Sequence, residues 1–500
     1  MSETKNKSLS AFFNYLWPVQ THELSKLLPM VIMLSFVAFD YSILRNLKDA
    51  LVITERGSGA EILPFIKLWV MFPSAILATM LFSYLLNRFP RTTVFNILFL
   101  GFSSFFLFFV FFVYPNREAF HPTASADWLQ SVLPIGFKGF IAMYRNWTLT
   151  CFYVIAELWG TIVLQVLIWG FANEVTTTSE APRFYGIMVL VSNIATICAG
   201  QAANLLKPSI HTSLSATSQW EHSLIRLVVL IVSLGLCALL AFHWMNAKVL
   251  SKANTLPQEN EKKESKKKQK LSFKESISYL LRSRYLLCIA SIVISYNLIF
   301  NLVEIIWKDR LRLYCPSPNE FNTYLNNLTS IMGLISSLAS IGMASVIYRI
   351  GWTRTALITP SILLLTSSMF FMSLFGGPAI LPLAVFFGSM QNCMTKAAKF
   401  SVFDATKEMA FIPLSSEHKM KGKAAIDGIG SRMAKSGSAV IYQFLFLLFG
   451  TPSACAPYVA LIVFGLTGLW FLATLTLGKE YAQRTEEPAV EQEPAPIAAS

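Results

Sequence analysis

Apolar runs broken by short charged or turn-forming stretches recur from one end of the chain to the other. A helix needs about 20 apolar residues to cross a bilayer. Runs of that length predict about twelve spans, near 27–47, 61–86, 93–114, 148–171, 183–206, 223–246, 284–306, 326–348, 355–376, 378–403, 422–449 and 455–478. No stretch alternates with the period of a half-buried strand, so the expected fold class is an all-α polytopic membrane protein.

One stretch divides the spans six and six. Residues 248 to 274 include P-Q-E-N-E-K-K-E-S-K-K-K-Q-K and nine lysines, a run too polar to bury and expected to be solvated. Lysine concentrates in cytoplasmic loops, which puts this run and, with an even number of spans on each side, both termini in the cytoplasm. The expected organisation is an N-terminal segment over 1–26, a six-helix half over 27–247, a basic linker over 248–283, a second six-helix half over 284–478 and a solvated tail over 479–500. The halves resemble each other weakly. The first and seventh spans end in L-R-N-L-K-D and E-I-I-W-K-D, the second and eighth in N-R-F-P-R-T-T and Y-R-I-G-W-T-R-T, the fourth and tenth in F-A-N-E and D-A-T-K-E. Three matches in the same order point to parallel six-helix repeats, the arrangement of major-facilitator-type carriers.

Composition sharpens this picture. Hydrophobic residues make up 54% of 500 positions and charged ones 14%, outside the range of soluble domains. The net charge of +13 is explained by lysine-rich loops, and no zinc spacing or basic amphipathic motif points to nucleic acid. The seven cysteines form no C-x-x-C pair and read as packing residues. The opening M-S-E-T-K-N-K-S is too polar for a signal peptide, so plain insertion into a bacterial inner membrane is expected, with the chain working as a monomer. Six scattered histidines offer no metal site or catalytic triad. G-I-G-S-R-M-A-K-S-G imitates a phosphate-binding loop but has the wrong spacing and lies in an apolar run. No metal or cofactor is expected.

Charges inside the spans carry the remaining information, since such residues usually line an interior path. The stretch 390–438 is the densest case, and its flanking apolar runs are too short to span unless the charges enter with them. It places Lys396 and Lys399 three apart on one face, with Asp404 as a possible partner, and repeats that spacing in Arg432 and Lys435. Adjacent cations need an anion, from the protein or from a solute. Arg45 and Asp49 are spaced to pair along one helix face, leaving Lys48 either as a snorkelling anchor or as a binding residue. Lys67 reads as snorkelling. Glu157, mid-span, is either protonated or paired with a neighbouring helix. Glu304 and Lys308 stand in the stabilising i, i+4 order and either neutralise each other or open to a competing phosphate.

The chain resembles the ATP/ADP translocase (nucleotide transporter) family of obligate intracellular bacteria and plastids. The likeness runs over residues 15 to 478 and rests on L-R-N-L-K-D, G-A-E-I-L-P-F-I-K-L-W-V, A-E-L-W-G, W-G-F-A-N-E, L-V-E-I-I-W-K, F-D-A-T-K-E-M-A-F-I-P-L and K-G-K-A-A-I-D. It implies transport of ATP and ADP, or of nucleoside triphosphates more widely, through a charged quartet: Lys48, Glu157, Glu304 and either Lys421 or Lys423. Exchangers of the family usually read L-R-D-T-K-D and N-P-L-G-K-S-G-G, where this chain has Asn46 and Arg432. Exchange of ATP for ADP, the family's best-represented activity, is the leading expectation, and these departures raise proton-coupled import of triphosphates as the alternative, with Glu157 as the expected proton carrier. A membrane-embedded enzyme is the rival class, lacking a nucleophile or acid/base pair in the sequence.

Overall fold

The computed structural model describes residue 19 and residues 23–177, 180–207, 215–250, 283–414, 422–423, 425–426 and 430–486. Most of the predicted linker, the tail beyond 486, the first eighteen residues and Lys421 lie outside the described residues.

Among the described residues there are twelve long helices and no strand. They are α1 (Leu24–Thr54), α2 (Ile62–Arg88), α3 (Arg91–Val113), α4 (Trp147–Val175), α5 (Ala181–Leu205), α6 (Ala216–Met245), α7 (Arg284–Tyr314), α8 (Pro318–Ile350) and α9 (Trp352–Leu374). α10 starts as Leu381–Ala398 and continues through Lys399–Phe403 and Asp404–Ala410; α11 is Ser431–Phe449 and α12 Pro452–Glu486. By length and composition nine of them are able to cross a membrane; α8, α10 and α11 complete the set. α10 falls short on hydropathy, its first eighteen residues including Gln391, Asn392 and Lys396, so the bundle holds a helix that apolar length alone does not mark.

Every predicted span has a helix, but several helices overrun their predicted ends. The sequence pattern ends the first span at 47, ahead of the Lys-Asp pair, whereas α1 runs on to Thr54 with Lys48 and Asp49 both buried. The Lys-Asp pair does not leave the membrane here. Its charges stay inside because other helices neutralise them.

Helix ends follow local chemistry. Ser215 and Ser283 accept hydrogen bonds from the Ser218 and Leu286 N–H groups and cap α6 and α7. Gly351, with φ of 79°, turns α8 into α9 where a side chain would be strained. Connections of a few residues make successive helices antiparallel. The longer α3–α4 connection folds back, with Trp147 donating to the Phe120 carbonyl and His121 bonded to Thr148 at 2.7 Å. The first half packs around phenylalanines, with the Phe95 and Phe242 rings stacked at 3.9 Å and Trp159 edge-on to Phe99, Phe102 and Phe106. The second half centres on Tyr296, Phe403 and Trp470. Apolar side chains such as Trp69, Leu77 and Met80 on α2, and Leu461 and Leu472 on α12, face outward, as lipid contact requires.

The halves are joined at one end of the bundle, where α1 and α7 finish. There Asn46 bonds Asn326 at 2.9 Å, Gln201 bonds Ser330 at 3.0 Å, Asn204 bonds Asn327 at 2.6 Å and Trp69 bonds Gln443 at 3.1 Å. At the opposite end, ion pairs join residues of the same half: Lys26 with Glu180 at 2.6 Å, Arg183 with Glu23 at 2.7 Å, Arg91 with Glu174, and Lys423 with Glu408 at 2.5 Å.

The α5–α8 seam is closest at Gly200, where a methyl group would overlap Ser330 Oγ and the Asn326 carbonyl across the two halves. Gly200→Ala is therefore expected to push this end apart at a cost of about 1–3 kcal/mol. Spin labels on the ends of α5 and α8 should report a longer distance. Gly437→Ala, whose methyl would stand 3.7 Å from Leu298, should leave the distance unchanged.

Candidate functional site

Six charged side chains form a continuous chain of alternating sign near the joined end. Glu157 on α4 lies 3.3 Å from Lys48 on α1, and Lys48 lies 3.0 Å from its neighbour Asp49. The other Asp49 oxygen accepts from Lys308 on α7 at 2.8 Å, and Lys308 also reaches Glu304 at 2.8 Å. Lys67 on α2 closes the series, 3.4 Å from Glu304 and 3.0 Å from Asn301. Two of these links, Asp49–Lys308 and Lys67–Glu304, cross between the halves.

Each residue sits where its helix puts it. Lys48 and Lys308 lie near the ends of α1 and α7, corresponding helices of the two repeats, and Asp49 bridges them. Both lysines are 4% exposed, and the Lys48 ammonium also seats 3.8 Å from the centre of the Tyr153 ring, a cation–π contact that replaces part of its lost hydration. A buried charge is tolerated only when paired and hydrogen-bonded, and alternating sign achieves this for all six.

Several expectations change. Arg45 does not pair with Asp49: its guanidinium bonds Thr329 on α8 at 3.3 Å, because Asp49 is already held by two lysines. Lys48 and Lys67 are not snorkelling anchors, since both turn inward to carboxylates. Glu157 is not sealed mid-membrane; its side chain is 34% exposed and it pairs with Lys48. Glu304 and Lys308 do meet at i, i+4, with Glu304 shared between two lysines.

The dense basic stretch divides. Lys396 points toward the cluster, where the charges acting on it are Arg45 first, then Glu304 and Lys308, and its ammonium lies 5.1 Å from the centre of the Phe300 ring. Lys399 turns away, to Asp404 at 2.9 Å and over Phe400. A widened π-helical turn begins at Lys399 and leads to Asp404, and the two lysines take different partners although the three-residue spacing sets them on one face. Lys423 pairs with Glu408 at the opposite end of the bundle, Lys435 is exposed on α11, and the Arg432 side chain lies outside the described ones.

Asn326, Thr329 and Asp40 are residues that the sequence pattern does not single out. Asn46, Asn326 and Thr329 form a hydrogen-bonded patch across the halves, and asparagines in apolar runs could have marked it. Asp40, mid-helix in F-V-A-F-D-Y-S-I, is 0% exposed, and neither carboxyl oxygen has a hydrogen-bond partner among the described residues. A carboxyl so buried is stable in its uncharged form.

Two six-helix halves, joined at one end through buried ion pairs, define a polytopic membrane transporter. The profile of the TLC ATP/ADP transporter family matches residues 2–481, and the chain belongs to that family. It is 40% identical to "ADP,ATP carrier protein 1" of Chlamydia trachomatis serovar D, an alignment covering 100% of this chain and 96% of that protein. It is 37% identical to "ADP,ATP carrier protein 1, chloroplastic" of Arabidopsis thaliana, covering 95% and 77%. Among solved structures, the crystal structure of a D-xylose-proton symporter superimposes with a TM-score of 0.54 at 12% identity, covering 91% of this chain and 97% of that one. A bacterial metal transporter gives 0.53 at 9% identity, covering 93% and 99%. These likenesses establish the shared fold.

Proposed function

We propose that this protein exchanges ATP for ADP across a bacterial inner membrane by alternating access, with both termini in the cytoplasm. The observation that carries the proposal is the charge chain: it ties the halves together at one end only, and its links can be remade around a polyanion. Joined ends near α1 and α7 then close the outer side, and the opposite end faces the cytoplasm. Lys48, Glu157, Glu304, Lys308 and Lys396 are the binding and gating residues on this reading, and the membership of the family supports it. Lys399, Lys423 and Lys435 stand apart from the cluster in this conformation. A single chain supplies the complete cluster, in keeping with a monomeric unit.

Exchange follows from electrostatics. A carrier without its anion must move an excess of positive charge through a low-dielectric interior, where it costs most. Proteoliposomes loaded with ADP should take up labelled ATP about tenfold or more faster than empty ones. An inward proton gradient should leave that ratio unchanged.

Asp40 supports a second reading, proton-coupled import of nucleoside triphosphates. It is a buried carboxyl with no hydrogen-bond partner among the described residues, on the helix that bears Lys48, whereas Glu157 is committed to an ion pair. On this reading empty vesicles would take up ATP, a protonophore would stop them, and Asp40→Asn would abolish the proton dependence. The same assay, with the other nucleoside triphosphates as competitors, fixes base selectivity.

A further inference from the structure

We propose that Arg45 and Lys396 form the clamp for the terminal phosphates of the nucleotide, one from each half, while the paired lysines act as the gate. This rests on the nucleotide reading above and assigns a residue, Arg45, that the sequence pattern set aside as a partner of Asp49.

The argument starts from the charges around the cluster. Arg45, Lys48, Lys67, Lys308 and Lys396 are five cations facing the three carboxylates Asp49, Glu157 and Glu304, a surplus of two positive charges. The surplus is localised. Lys48, Lys67 and Lys308 each lie within ion-pair distance of a carboxylate. Arg45 and Lys396 have no carboxylate at that distance among the described residues; Arg45 bonds only the Thr329 hydroxyl, and Lys396 leans toward the Phe300 ring. Uncommitted cations bind an incoming anion most cheaply, because no existing pair has to be broken first.

Chemistry separates their roles. The Arg45 guanidinium presents parallel N–H donors that match two oxygens of one phosphate group, and Lys396 supplies a compact point charge. Neighbouring Asn46, Asn326 and Thr329 add neutral hydrogen-bonding groups beside Arg45. Phe300, stacked on Tyr296 at 6.2 Å, gives Lys396 an apolar wall that strengthens any charge contact made against it.

Placement gives the clamp a second consequence. Arg45 is on α1 and Lys396 on α10, one in each half, so two like charges stand on opposite sides of the line along which the halves separate. They repel until a polyphosphate sits between them, and then each attracts the same ligand. Substrate would thereby convert repulsion between the halves into attraction, which makes movement of the loaded carrier easier than that of the empty one.

The test is the dependence of affinity on phosphate number. Purified wild type should bind AMP, ADP and ATP with rising affinity, each measured by competition against labelled ATP. Arg45→Gln and Lys396→Gln should weaken ATP by about tenfold or more while weakening AMP by less than about threefold, flattening the series. Arg45→Lys should fall between, since it keeps charge but loses the fork. Lys67→Gln, in the gate, should slow transport and leave the series steep. The clamp is overturned if both Gln variants keep the wild-type series, or lose AMP and ATP affinity in equal measure. A wild-type protein that binds none of the three nucleotides removes the nucleotide reading and the clamp together, an outcome distinct from a bound but unaltered series.

Discussion

Replacing Lys308 with Gln is expected to lower nucleotide uptake about 100-fold or more. Lys308 alone neutralises one oxygen of Asp49 and one of Glu304, at 2.8 Å each, and it spans the two halves. Without it the two carboxylates lose the cation between them and keep only Lys48 and Lys67, one each, and breaking a buried pair costs about 3–5 kcal/mol. The closed end should then open in most molecules, trapping the carrier on one side. Uptake by proteoliposomes with matched protein content measures the loss. A cysteine placed at Ser330, which is buried where α8 meets α5, should become reactive to a membrane-impermeant thiol reagent, after the native cysteines are replaced. The double variant Asp49→Asn/Lys308→Gln removes both charges of the crossing link, so its thermal stability should recover while its transport stays low. Uptake by Lys308→Gln within about twofold of wild type would show that the link is packing rather than gate.

Replacing Lys48 with Gln should produce a loss of similar size, for a different reason. Lys48 makes its contacts within its own half, to Asp49, Glu157 and Tyr153, so the halves remain joined when it is removed. What is lost is the positive charge that separates two carboxylates along the chain. Glu157 and Asp49 then repel an approaching phosphate that Lys48 would otherwise attract, a penalty of about 3 kcal/mol in a partly buried site. Lys48→Arg should not restore activity, because the larger guanidinium has no room in a seat that is 4% exposed and already filled by contacts to Asp49, Glu157 and Tyr153. Glu157→Gln added to Lys48→Gln should recover part of the loss by removing the freed negative charge. A surface anchor would behave oppositely: Lys48→Gln would transport normally at full expression.

Much of the architecture is legible from hydropathy because a membrane imposes one rule, that apolar length makes a helix. All twelve predicted spans appear, and the matches between L-R-N-L-K-D and E-I-I-W-K-D correspond to two lysines that end up in one network. The failures cluster where charge enters the spans. α1 was predicted to stop ahead of the Lys-Asp pair, yet Lys48 and Asp49 are buried because α4 and α7, distant in sequence, bring Glu157 and Lys308 to them. Spacing within one helix favoured Arg45–Asp49, but a carboxylate pairs with whichever cation packing brings closest, and Lys308 lies 259 positions away. For Lys396 and Lys399 the helical period holds but does not decide the partners: Lys399 turns to Asp404 and Lys396 to Phe300. Asp40 is, like Glu157, a lone carboxyl in an apolar run, but unlike Glu157 it stands in none of the motifs that carry the family resemblance.

Widened turns of this kind recur beside the charged residues: Ile66–Met71 includes Lys67, Trp159–Ile168 begins two residues after Glu157, and Lys399–Phe403 follows Lys396. Each holds one residue more than an α-turn closed by the usual hydrogen bond. Passing that extra residue one step along the helix swings the side chain it leaves by about 100° and exchanges one backbone hydrogen bond for another. Lys67, Glu157 and Lys396 therefore lie next to built-in slip joints. A charge can rotate from its partner in one half toward the ligand path while its helix stays whole, and the barrier to that rotation is set by side-chain packing rather than by unfolding the backbone inside lipid.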